Sequence, residues 1–357
     1  MKRKLVLTMI ALGCLHTVLA QQYRWNVGVD YFFDNTEYDG SSYIDSETMN
    51  GVWLNPLGRI VWDGRHSVNA GVNLLKIPGM DKALDKVDVT MYYQYKAPKI
   101  LFRAGAFPRK EVLGDYNNFF FKDSVNHFIP LIQGVFVRLG DERTYATAWF
   151  DRTGYATPDK REHFFVGLSG KASKGIFFAD FQSYMFHYSN TRPPTKGVGV
   201  SENLQLQASA GVQIENRKGL AATLAAGTLI GYERDRRSEM PLLHKPVGFI
   251  ARGDIEYCGL GTKNLLYAGA PRMKLFDRFG GDLYWGTPFL QSRFYLENEW
   301  YVRIIESDRV NARFNCNLHF TEGKLLFQQM LTVSANIGTL NESVHKGLIF
   351  PWKRLFK

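Results

Sequence analysis

Between Arg309 and Phe320 the chain reads RVNARFNCNLHF, and apolar and polar residues alternate without a break. Val310, Ala312, Phe314, Cys316, Leu318 and Phe320 share one phase, and Arg309, Asn311, Arg313, Asn315, Asn317 and His319 share the other. Successive side chains of a strand point to opposite faces, so this run has one apolar and one very polar side. Arg293–Ile304, Asn203–Glu215 and Tyr23–Tyr31 repeat the pattern. The runs are about 10 to 13 residues, enough for a tilted strand to cross a bilayer, whereas strands of soluble sandwiches average about five or six. An open sheet in lipid would carry unpaired backbone groups along its edges. The alternation therefore predicts an all-β fold, a closed antiparallel transmembrane β-barrel.

Strands are expected near 23–32, 52–62, 66–75, 86–96, 99–107, 131–139, 143–152, 163–170, 176–188, 203–215, 220–231, 247–257, 264–269, 291–305, 309–320 and 324–337. The segment 264–269 is short, so the count is about 14–16. Connectors such as 63–65, 97–98, 140–142 and 306–308 are short, whereas 33–51, 108–130, 189–202, 232–246 and 270–290 are long. Short turns on one rim and long loops on the other give periplasmic turns and extracellular loops. Thr321-Glu322-Gly323 departs from this with a short outer turn. One barrel domain is expected over 21–338, with 339–357 as a C-terminal tail or a last strand.

The ends and the composition fit this reading. Lys2, Arg3 and Lys4 precede an apolar Leu5–Leu12, and Val18-Leu19-Ala20 has the small-residue pattern of a cleavage site before Gln21. Residues 1–20 are expected to be a signal peptide. Ala11-Leu12-Gly13-Cys14 offers lipidation at Cys14 as the alternative. The formal charge of +10, less the three signal cations, is a modest basic excess without a Lys/Arg run, so no nucleic-acid partner is expected. Beyond the signal the cysteines are Cys258 and Cys316, in no CxxC or His-rich cluster. Neither a metal site nor a cofactor is expected.

With these features the chain resembles the outer-membrane β-barrel proteins of Gram-negative bacteria. The resemblance implies residence in the bacterial outer membrane, contact with its lipids and lipopolysaccharide, and insertion by the barrel-assembly machinery. It leaves the oligomeric state and the cargo open, because one barrel plan hosts many functions. A porin-like conduit, or a surface-organising protein, would use the polar phase to line a lumen. Arg252, Arg293, Glu297, Glu299, Arg303, Arg309 and Arg313 fall in that phase. Such rings tune ion selectivity, or pair across strands to stabilise the interior. The loop 108–130 carries Phe119-Phe120-Phe121, too apolar to leave wet. The triplet is a candidate lumenal constriction, with packing on the outer rim as the alternative.

A second reading rests on HYSN, residues 187–190. In the strand ending there, Asp180 and Gln182 mark one phase as lumenal, so His187 and Ser189 take the lipid-facing phase. Strand parity puts them at the outer-leaflet end. The stretch is similar to the motif of outer-membrane lipid A deacylases, and His-x-Ser also recurs in outer-membrane phospholipase A. That resemblance implies an outer-membrane lipid esterase with His187 as base, Ser189 as nucleophile and Glu202 as the orienting acid. Thr191 and Arg192 replace the small residues usual after the motif, and Glu202 follows Ser189 by one residue more than the usual dozen. The two readings separate on whether Glu202 reaches His187 and on whether the lumen is open.

Overall fold

The computed structural model describes residues 21–216, 219–237, 241–340 and 350–352. The expected signal peptide and most of the C-terminal tail lie outside them. Each alternating run forms a strand that pairs with the next in the chain. The first nine are β1 (Gln22–Glu37), β2 (Glu47–Trp62), β3 (His66–Lys76), β4 (Lys86–Ala97), β5 (Ile100–Pro108), β6 (Leu131–Gly140), β7 (Tyr145–Gly154), β8 (His163–Lys174) and β9 (Phe177–Tyr188). They continue as β10 (Ser201–Glu215), β11 (Leu220–Asp235), β12 (Leu242–His244), β13 (Val247–Tyr257), β14 (Leu260–Gly269), β15 (Phe294–Glu306), β16 (Val310–Thr321) and β17 (Lys324–Gly338).

β17 pairs antiparallel with β1 and closes the sheet, so no edge faces lipid. The three-residue β12 only extends the outer end of β11, which passes its main pairing to β13. Sixteen strands therefore make the wall, and the 14-strand alternative falls. The weakly patterned 264–269 is the outer part of β14, which starts earlier, at Leu260. Tyr257 pairs with Leu260 across a two-residue turn in which Cys258 and Gly259 both have positive φ. That is the mirror-image turn a tight hairpin needs, reached here without an Asn-Gly or Asp-Gly signature. β1 and β2 also run past the expected strand ends, which shortens the loop expected at 33–51 to 38–46.

The pleat sorts the two faces. Leu224, Ile255, Val87, Met91, Trp300 and Ile337 are exposed on the outer wall, where lipid covers them. Tyr23, Trp25, Phe177 and Tyr257 stand exposed near the periplasmic end, as an interfacial aromatic girdle requires. Among the described residues no helix is long and apolar enough to cross a membrane.

Candidate functional site

The lumen is packed in its outer half. The segment 109–130 between β5 and β6 and the segment 270–293 between β14 and β15 both fold inward. Phe119 and Phe120 are fully buried and Phe121 nearly so. Phe121 lies 5.7 Å from Tyr184, 6.0 Å from Phe165 and 6.3 Å from Trp285, and Phe119 meets Tyr267 and Tyr295, each at 6.2 Å between ring centroids. Trp285 belongs to the second inward segment and the other partners to β8, β9, β14 and β15, so the triplet sits inside a plug rather than against the outer rim.

Buried charges hold the plug to the wall. The Arg109 guanidinium donates to the backbone oxygens of Ile129 and Leu131 and to the Asp151 carboxylate on β7, with both charged side chains 2% exposed or less. Arg109 thus ties both ends of its own segment together. On β11, Glu233 accepts the backbone N–H groups of Met273 and Lys274 and the Tyr284 hydroxyl. Asp235 accepts from Arg278. Beneath the plug lies a small polar cavity of about 30 Å³ lined by Asp115, Asp180, Gln207 and Arg252.

The charged residues expected in the lumen divide into four groups. Glu297 is buried and accepts from Asn118 of the plug. Glu299 pairs with Arg313, and Arg303 bridges Glu256 and Glu306. Arg303 and Tyr301 reach Glu256 across the intervening strand, where Gly261 has no side chain to obstruct the Tyr301 ring. Arg252 pairs with Asp254 and lines the small cavity. Arg293 and Arg309 stand at the rims, outside the strands expected to contain them. Arg293 precedes β15 at the outer rim and is exposed, and Arg309 lies in the turn before β16. Alternation assigns a phase, but both residues stand beyond the end of a strand, where the phase no longer fixes a direction.

A His–carboxylate pair that sequence reading missed also lies inside. His127 Nε2 is 3.2 Å from Asp34 Oδ2, and Asp34 is fully buried. The imidazole stacks on Phe32 at 4.4 Å, and Gln328 donates to the other Asp34 oxygen. The only sequence signal was an Asp in the lumenal phase of β1, separated from His127 by 93 positions.

HYSN stands on the opposite side of the wall. Along β9 the inward Phe178, Tyr184, Phe186 and Tyr188 are buried, which leaves His187 in the outward phase. β10 begins at Ser201, so Glu202 is outward and pairs in register with His187. The twelve-residue loop 189–200 absorbs the odd spacing. His187 Nδ1 lies 3.9 Å from Glu202 Oε1, and the imidazole stacks on Phe164 of β8 at 4.7 Å. Arg236 holds Glu202 with two hydrogen bonds, of 2.6 and 3.2 Å. Ser189 donates its backbone N–H to the oxygen of Glu162, while the Arg161 guanidinium binds its carbonyl. Among the described residues nothing hydrogen-bonds the Ser189 hydroxyl. Asn190 is a loop brace: its amide donates to the oxygens of Thr195 and Val198, and its oxygen accepts the N–H groups of Thr191 and Thr195.

A closed antiparallel barrel with a lipid-facing belt defines an outer-membrane β-barrel protein. It is similar to the anion-selective porin from Comamonas acidovorans, at TM-score 0.53 and 10% identity over 89% of this chain and 100% of that one. OmpTdeltaL8, a loop-deletion mutant of the Vibrio cholerae outer membrane protein OmpT, aligns at TM-score 0.51 and 10% identity, again over 89% of this chain and 100% of that one. Identity this low establishes the shared fold alone. No curated protein matches the sequence. Residues 16–339 match the lipid A 3'-O-deacylase-type family, and the chain belongs to that family.

Proposed function

We propose that the protein is an outer-membrane lipid esterase that removes an ester-linked acyl chain from lipid A, with Ser189 as nucleophile, His187 as base and Glu202 as the orienting acid. The observation that carries this reading is the register of β9 and β10, which puts Glu202 opposite His187 on the lipid-facing wall. Family membership supports it. The packed outer lumen weighs against the passive conduit.

A carboxylate on Nδ1 leaves Nε2 to take the serine proton. Ser189 follows His187 by two positions, about 7 Å along an extended chain, so the reaction requires the serine rotamer that turns the hydroxyl toward the imidazole. The Ser189 oxygen attacks the ester carbonyl as its proton passes to His187, and the imidazolium then protonates the departing sugar alkoxide. A water, deprotonated by His187, releases the acyl group as a fatty acid and restores the serine. The apolar wall below the site takes the acyl chain, since Val166, Met185 and Leu204 follow inward in the same outward phase.

The test is acyl release from lipid A by the full chain reconstituted in lipid, followed by mass spectrometry. Loss of one acyl chain, abolished by Ser189→Ala and by His187→Ala, is the expected result. Activity that survives both substitutions but not His127→Ala would move the chemistry to the interior pair and overturn the assignment. Planar-bilayer recording is expected to show no steady conductance.

A further inference from the structure

The outward rim beside HYSN carries cations that the hydrolytic residues do not use. At the level of His187 the outward phase reads Phe164, His187, Glu202 and Arg234 across β8, β9, β10 and β11. One row toward the membrane centre it reads Val166, Met185, Leu204 and Tyr232. The change from apolar to charged within one row puts this level at the boundary between acyl chains and headgroups.

The charges on this rim are not balanced. Arg152 is matched by Glu162, and Arg236 by Glu202. Arg234 has no carboxylate partner among the described residues; its one hydrogen bond is a long 3.5 Å contact to the Tyr232 hydroxyl. Lys245, exposed just after β12, holds its ammonium 5.9 Å over the Tyr232 ring, again without a carboxylate. Tyr232 thus carries two cations whose charge faces the headgroup layer. Glu202 lies between them and His187, but Arg236 already neutralises it.

The geometry points to Arg234, with Lys245, as the subsite that binds a phosphate on the substrate's glycolipid headgroup while its ester lies at His187. A guanidinium fork suits a phosphate, and next to the acyl layer its charge is weakly screened. Neighbouring strands are about 4.8 Å apart, so Arg234 stands roughly 10 Å from His187 across two strands. A sugar unit and its substituents span that gap. The subsite explains how the wall would choose phosphorylated glycolipid over the zwitterionic phospholipids around it. It rests on the hydrolase reading for its catalytic consequence, though not for binding itself.

The experiment compares bis-phosphorylated lipid A with the same lipid dephosphorylated, each carried in phosphatidylethanolamine vesicles with the full-length reconstituted chain. Wild-type protein is expected to prefer the phosphorylated lipid, and Arg234→Ala with Lys245→Ala to lower kcat/KM on it about tenfold to a hundredfold, through KM, as for loss of hydrogen bonds to a charged group. Turnover of the dephosphorylated lipid should not change, and Arg234→Lys should recover part of the loss. Equal loss on both lipids, or none on either, overturns the subsite. A binding arm uses the Ser189→Ala chain. Phosphate-dependent binding that needs Arg234, in a protein that never turns over lipid, keeps the subsite and removes the hydrolase. Turnover without phosphate preference does the reverse.

Discussion

Two histidines in this barrel face carboxylates, on opposite sides of the same wall. His127 is 3.2 Å from Asp34 in the lumen, stacked on Phe32 and covered by the plug. His187 is 3.9 Å from Glu202 on the outside, with one ring face on Phe164. The inner pair is tighter and the outer pair more accessible. A short contact between buried groups is what a structural brace requires, because an unpaired carboxylate there is costly. A base needs a substrate to reach it, and the outer pair meets the outer leaflet directly. Distance favours the inner pair as a candidate and access favours the outer one.

The largest expected effect separates the two pairs by activity. His187→Ala should lower acyl release on the order of 10⁴-fold, as loss of a catalytic base does when the nucleophile depends on it. His127→Ala should leave turnover intact and lower the unfolding midpoint instead. Next comes the plug. Arg109→Ala leaves Asp151 buried without its cation and should cost about 3–5 kcal/mol, read from denaturant unfolding in detergent. The same variant should admit ions in planar bilayers, where the unsubstituted chain is expected to show no steady conductance. Smaller again, Glu202→Gln keeps the shape but loses the charge that steadies the imidazolium, and should slow turnover about 10²-fold. The same change at Asp34 should leave the rate alone.

The smallest effect concerns Asp123, in the short plug helix Asp123–Phe128. Burial first, and the neighbouring Asp34 second, push its carboxyl well above the usual carboxylate range. A carboxyl raised in the folded state keeps its proton after the unfolded chain has released its own. Stability therefore falls as pH rises above about 3.9, the unfolded value, and levels off once the folded group has ionised. Asp123→Asn should flatten that slope in unfolding measured against pH. A slope of unchanged size would assign it to other groups.

The wall was legible in the sequence because a period of two is imposed on every strand by lipid on one side and polar groups on the other. It carried the faces of His187 and Glu202 as well, since both lie inside strands and inherit their phase. Legibility stopped where the strands stop. Arg293 and Arg309 sit just past strand ends and are exposed at the rims. The turn at Cys258-Gly259 hid the start of β14. The plug could be suspected from Phe119-Phe120-Phe121, but its partners Tyr267 and Tyr295 are far along the chain, and no local pattern names them. His127 and Asp34 escaped for the same reason.

The staple made by Arg109 also bears on the order of assembly. It binds the two ends of its own segment and a carboxylate on β7, while the aromatic triplet it introduces rests on β9, β14 and β15. The filler of the lumen thus lies early in the chain, and most of the surfaces it fills against lie later. Until β15 is in place the triplet has only part of its socket, and three phenylalanines remain exposed beside a half-built wall. The socket of the triplet is complete only when β9, β14 and β15 are all in place, so closure of the wall and drying of its interior are coupled.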